Sequence, residues 1–267
     1  MDLERLVERG EADANADMFR AAPRALTEVL GLDVFTVGDG LGITAAKIDD
    51  AQFNRVFGLG LEAPIRPAHL DEAAARIRPL GLTKARLQLV PRVEAQPGLI
   101  GWLAERGMTR LPGGSTKRAR RTSVLPDAPT ELAIIDAADA PGRFGAVACA
   151  GFGIPQALAP WLEALVGRPD WRCFLAMDGE TAVAAAAVFL AQDCGWLGIA
   201  ATLPEARGRG AQGALMRRRV EAARDACKAW AITETGAPLS GEAPGPSYRN
   251  MDRHGFAEVH LRASYAI

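Results

Sequence analysis

Between an apolar run that ends at Thr202 and a helical pattern that begins at Ala211, the chain reads Thr202-Leu203-Pro204-Glu205-Ala206-Arg207-Gly208-Arg209-Gly210-Ala211-Gln212-Gly213. A strand that passes into a helix over three glycines constrains the fold more than any other part of this sequence. Glycine lets the backbone approach a ligand closely, and the first amides of a helix lack partners and carry the positive end of its dipole. Such a turn is a cradle for an anion, a diphosphate above all. Arg207 and Arg209 add charge to it, whereas Arg217, Arg218 and Arg219 read first as the solvated face of the helix.

The apolar pattern around the turn predicts strands at 131–136, 171–177, 181–190 and 196–202 and helices at 141–150 and 154–165. Asp178-Gly179 and Asp193-Cys194-Gly195 turn the last three strands into an antiparallel meander. A helix over 211–226 then crosses to a strand at 229–235, which the crossover makes parallel to the strand before it. A loop over 236–246, a short helix at 247–254 and a strand at 259–265 complete an α+β pattern with one βαβ unit.

The first half echoes this order, with strands at 53–62 and 83–90, helices at 67–80 and 97–106, and Gly107-Met108 where Gly255-Phe256 stands later. The chain therefore reads as a tandem repeat, with domains 1–125 and 126–267 meeting in the turn-rich stretch 112–129. Its basic run, 117–121, reads as a solvated strand edge or linker rather than a nucleic-acid patch. The strand-to-helix turn of the first copy, Ala63-Pro64-Ile65-Arg66-Pro67, has no glycine and two prolines that cannot donate, so no phosphate cradle is expected there.

Composition narrows the partners. With 31 basic and 32 acidic residues the chain has no net field to draw nucleic acid or an anionic membrane. Cys149, Cys173, Cys194 and Cys227 form no CxxC pair, which argues against a zinc site or a disulfide framework. The charged start is neither a secretory signal nor an anchor, and the longest apolar run, 182–191, is too short to span a bilayer. A cytoplasmic location is expected.

Three readings compete for the cradle. An ATPase P-loop is excluded because Gly213-Ala214-Leu215 lacks the required lysine and hydroxyl. The dinucleotide fingerprint GxGxxG is present as Gly208, Gly210 and Gly213, with Glu234 as the ribose ligand. Against it, Pro204 to Arg207 separate strand from glycine, and too little chain follows for further βαβ units. The third is a resemblance. Arg207-Gly208-Arg209-Gly210-Ala211, followed by Leu215-Met216, resembles the acetyl-CoA motif of the GNAT superfamily of N-acetyltransferases, Q/R-x-x-G-x-G/A. The element order is similar to that fold, and Tyr248-Arg249-Asn250-Met251-Asp252-Arg253-His254-Gly255-Phe256 resembles its last helix and closing Gly-Phe.

The resemblance covers residues 130–267 and, as a degenerate copy, residues 30–120. It implies a tandem GNAT-like acyl-CoA N-acyltransferase fold with mixed, mostly antiparallel sheets flanked by helices, and acetyl-CoA as co-substrate. The implied contacts are the backbone of Ala201, Thr202 and Leu203 to the pantetheine. Arg207, Gly208, Arg209, Gly210, Ala211, Gln212 and Gly213 would hold the diphosphate. The chain departs from the family at Gln212, where a second small residue is usual, and at Met251, where a tyrosine often resembles a proton donor to the leaving thiolate.

Direct attack on a thioester by an amine of pKa about 10 needs a base at neutral pH. Glu234, ending the strand beside the cradle, is the candidate base, set against a plain strand-end carboxylate. Tyr248, three residues before Met251 and so on its helix face, is the candidate donor, set against a core tyrosine. His254 and His260 read as structural. The expected acceptor is a small primary amine, with Phe152, Trp161 and Trp171 near it. The alternative is a non-catalytic acetyl-CoA sensor whose first half serves as a lid, partner module or homodimer surface.

Overall fold

The computed structural model describes residues 2–239 and 241–267. The first half comprises α1 (Leu3–Arg20), α2 (Arg24–Leu30), β1 (Leu32–Val37), β2 (Gly40–Ala45), β3 (Arg55–Phe57), α3 (Pro67–Ile77), β4 (Arg86–Leu89), α4 (Pro91–Glu94), α5 (Leu99–Glu105) and β5 (Ser115–Arg121). The second comprises β6 (Ala133–Asp136), α6 (Arg143–Phe152), α7 (Ala159–Glu163), β7 (Trp171–Asp178), β8 (Thr181–Leu190), β9 (Cys194–Thr202), α8 (Ala211–Asp225), β10 (Trp230–Gly236), α9 (Pro246–Arg253) and β11 (Ala257–Ala266).

The eleven strands among the described residues join in one sheet of order β1-β2-β3-β4-β11-β5-β10-β9-β8-β7-β6. The halves interlock at its centre. β11 pairs with β5 through Ala257–Arg262 and then with β4 through Ala263–Ala266, while β5 lies between β11 and β10. The basic run 117–121 is therefore an interior strand and not an edge or linker. Lys117 and Arg118 are buried, and Arg121 lies over the Trp230 ring, 4.0 Å from its centroid.

α1 straps both halves on one face. Asp2 caps its start by accepting from the Glu4 amide at 3.1 Å. Gly10 fits closely against Cys194 and Ile232, and Phe19 meets Trp161 edge-on at 5.1 Å in a core shared with α6 and α7. On the opposite face, Leu215, Met216 and Val220 of α8 pack on Phe174, Val188 and Leu197, with Met251 of α9 in the same cluster. A separate core around Leu70, Ile77, Leu87 and Leu103 supports the first half.

Candidate functional site

β9 and β10 pair in parallel only at Cys194–Trp230, Gly195–Ala231 and Trp196–Ile232. Beyond that point they part, apart from the Thr233 hydroxyl reaching the Leu197 carbonyl at 2.9 Å. Among the described residues, the split leaves the far edge of β9, from Gly198 to Thr202, without a strand partner, while its near edge stays bonded to β8. A β-bulge interrupts the β8–β9 register between Ala187 and Phe189, close to where the split begins. Leu203 donates to Val183 at 2.9 Å, so by alternation the Thr202 amide faces away from β8.

The chain then makes one turn of 3₁₀ helix over Pro204–Ala206 and reaches α8 through Arg207, Gly208 and Arg209. Gly208 and Gly210 have φ of +79° and +82°, a conformation that disfavours any residue with a Cβ. Among the described residues no side chain caps α8, and its first intrahelical bond runs from the Ala214 amide to the Gly210 carbonyl. The amides of Ala211, Gln212 and Gly213 are thus the unsatisfied donors of the first turn.

The glycines differ in what surrounds them. A methyl on Gly210 would stand 2.6 Å from the Pro129 carbonyl, and one on Gly213 would stand 2.8 Å from His254 Nε2. The hydrogens of Gly210 and Gly213 therefore face the linker and α9, so the demand for small residues comes from the protein itself; around Gly208 the space is open. Thr130 Oγ1 fixes this arrangement by donating to the Arg209 carbonyl at 2.8 Å.

Arg207 is exposed at the turn, whereas Arg209 pairs with Asp178 of the β7–β8 hairpin at 2.6 Å. The next three arginines point elsewhere. Arg217 donates to the Pro126 carbonyl at 2.9 Å, and Arg218 pairs with Glu221 at 3.0 Å above the Phe174 ring. Arg219 is fully buried behind the β-bulge, donating to the carbonyls of Leu215 at 3.2 Å and Ile199 at 3.3 Å, and burial draws its pKa down to about 9. Gln212 folds back onto the strand end, its Nε2 donating to Thr202 Oγ1 at 2.7 Å.

Glu234, expected as the base, has a different role. Its carboxylate accepts from Arg55 Nη1 at 3.1 Å, Lys117 Nζ at 2.7 Å and Arg262 Nη2 at 2.9 Å, using both oxygens. Glu8 and Glu11 of α1 complete the network: Arg262 Nη1 reaches them at 3.0 and 2.7 Å, Arg55 reaches Glu11 at 3.1 Å, and Lys117 also pairs with Glu11. Three carboxylates face three cations, with His260 Nε2 3.0 Å from Glu8. Burial alone would raise the Glu234 pKa, but Lys117, Arg55 and Arg262 outweigh it and hold the carboxyl well below its ordinary range. A carboxylate held this way is a poor proton acceptor at neutral pH, and it has no free oxygen for a ribose diol.

Tyr248 stacks against Arg118, 4.4 Å from guanidinium to ring centroid, with its hydroxyl 3.5 Å from Glu258. Among the described residues it forms no bond to the turn or to Glu234. The histidines are packing groups: His254 Nδ1 lies 2.7 Å from the Asn250 carbonyl, and His260 belongs to the network. Burial pushes the Cys194 thiol up to about 12, so it is no nucleophile.

At the level of sequence, no family model and no curated protein matches the chain. Solved structures do match. A GCN5-related N-acetyltransferase from Kribbella flavida is 20% identical over 97% of this chain and 95% of its own, with a TM-score of 0.62. Another from Sphaerobacter thermophilus is 16% identical over 91% and 83%, with a TM-score of 0.58. A tandem GNAT protein from the clavulanic acid biosynthesis pathway is 17% identical over 85% and 78%, with a TM-score of 0.57. The chain has the tandem GNAT fold, an α+β architecture of mixed sheet flanked by helices. Among the described residues no helix is long and apolar enough to cross a membrane.

Proposed function

We propose that the second half is an acetyl-CoA-dependent N-acetyltransferase site acting on a small primary amine in the cytoplasm. The observation that carries this is the joint presence of the parted β9–β10 pair and the uncapped start of α8. The two features supply different donors to one extended ligand: the strand amides of Ala200 and Thr202, and helix amides at Ala211 to Gly213 with the dipole behind them. The co-substrate would bring an activated acetyl group to the split. The chain's own part is to hold that ligand against β9 and to bring the amine to the same point, so that attack becomes effectively intramolecular.

Proton removal falls to solvent in the split, because Glu234 is neutralised by its cations, and protonation of the leaving thiolate falls to solvent too, because Tyr248 is turned toward Glu258. In this reading Glu234 serves by fixing the position of β10. The same two facts favour a second reading, in which the site binds acetyl-CoA as a sensor without turnover.

Calorimetric titration with acetyl-CoA, run beside NAD(H), tests the assignment. Micromolar binding of acetyl-CoA alone supports it; binding of the dinucleotide alone overturns it. Thiol release from acetyl-CoA across a panel of small amines then separates enzyme from sensor, since the sensor should bind yet release none.

A further inference from the structure

If the site holds acetyl-CoA, the contact between Gln212 and Thr202 bears on how it is filled. Gln212 is the second residue of α8, and its backbone amide belongs to the unsatisfied first turn. Its side chain is half-buried and does not run out to solvent, as a helix-start glutamine easily can; it returns across the turn to the last residue of β9. The Nε2 to Oγ1 distance is 2.7 Å, and Thr202 is buried. The side chain therefore bridges the two donor sets that one extended ligand must use together. A ligand with its diphosphate at the amides of Ala211 to Gly213 and its arm along the edge of β9 passes over this line.

We propose, resting on the acetyl-CoA reading, that Gln212 is an affinity-setting residue that obstructs its own site. Its carboxamide holds the strand end and must swing away from Thr202 before a phosphorylated acyl thioester can lie against both elements. The Thr202 hydroxyl, once released, is free to bond the incoming arm. Binding is thus an exchange of an internal hydrogen bond for one to the ligand, and the apparent affinity is lowered by the share of molecules in which the bridge is closed.

The test is a calorimetric titration with acetyl-CoA of the wild type, Gln212→Ala, Thr202→Val and the double variant, with urea unfolding of each. Alanine is the best residue for a helix, so the first variant should fold. A net hydrogen bond of ordinary strength corresponds to a change in affinity of about fivefold. Gln212→Ala should tighten binding by that factor, and the double variant should gain no more than the better single one, because both remove the same bridge. A merely structural bridge would show only a loss of stability with no gain in affinity. Gln212→Glu should weaken binding, since it places a like charge beside the diphosphate. Binding by Gln212→Ala where the wild type is silent supports the obstruction. Equal or weaker binding by Gln212→Ala, with the wild type binding, overturns the obstruction alone. If no variant binds acetyl-CoA at any concentration, the acetyl-CoA reading itself falls and takes this inference with it.

Discussion

In the first half the chain leaves β3 for α3 through a turn that answers its own polar groups. The amides of Gly60 and Glu62 donate to the two carboxylate oxygens of Asp39 at 2.8 and 2.6 Å, and Gln96 both donates to and accepts from the backbone of Ile65. Leu59, Leu61, Ile65 and Val93 fill the space beside it. In the second half, among the described residues, no carboxylate accepts from the amides between β9 and α8 and no side chain caps the helix. Both passages join a parallel strand pair by a helical crossover. The difference lies in what meets the amides: in the first half a carboxylate of the chain itself holds the loop before the helix and His69 accepts from the Arg66 amide at 3.3 Å, whereas the start of α8 leaves its amides free.

The two halves can be compared in this way because they are held in register, and the buried network under α1 is where they are joined. Breaking it should have the largest effect. Arg262 reaches Glu8, Glu11 and Glu234 from the strand that pairs with both halves. Removing it as Arg262→Met leaves buried carboxylates without their partner, and should destabilise the protein by about 3–5 kcal/mol in urea unfolding. A loss within a few tenths of a kilocalorie would show that the halves do not depend on this joint.

Acid should act on the same joint more gently. Burial pushes the Glu8 pKa up, but Arg262, the His260 hydrogen bond and Lys117 outweigh it and hold the group at about 2 against an ordinary 4.5. The folded value is the lower one, so this stabilisation is fully present above pH 4.5 and disappears as pH falls from there toward 2. Its size is roughly 3 kcal/mol. Urea midpoints measured from neutral pH downward should decline in that window, and Glu8→Gln should flatten the decline.

Asp39→Ala removes the internal anion of the first half. Two hydrogen bonds to a charged acceptor are lost at a partly exposed site, for a cost of about 2 kcal/mol. Adding sulfate should recover part of that loss if the vacated turn still cradles an anion. Should sulfate change the variant no more than the wild type, the two turns are not equivalent and the comparison is broken.

How much of this the sequence disclosed depends on how local each signal was. The strand 181–190 matches β8 because ten mostly apolar residues lie between two turn signals. The start of α8 matches because glycine spacing is a local property. The strand predicted at 53–62 contracts to Arg55–Phe57, since Gly58 and Gly60 adopt φ of +70° and +84° and turn an apolar run into a loop. That loop also carries the glycines the shorter stretch 63–67 lacks, and Asp39 accepts from its amides, a contact the prolines of 63–67 give no sign of. α1 and the β1–β2 hairpin were not legible. Glu8 and Glu11 lie on the buried face of α1, and a carboxylate there looks solvated until Arg262, some 250 residues further on, is brought beside it. Glu234 misled for the same reason, its partner Arg55 being 179 residues distant in sequence.

The smallest effects concern the glycines of the second turn, and they separate two reasons for the same residue. Gly208 and Gly210 share a left-handed backbone, at φ of +79° and +82°. An alanine at either site bears that strain, which amounts to about 1 kcal/mol. Only at Gly210 does the new methyl also meet a neighbour, the Pro129 carbonyl at 2.6 Å, and a backbone atom cannot swing aside as a side chain would. Gly210→Ala should therefore lose clearly more stability in urea than Gly208→Ala, which should lose only the cost of the strain. Equal losses would mean that the linker yields to the methyl, and Gly210 would then be required by its backbone angle and not by its packing.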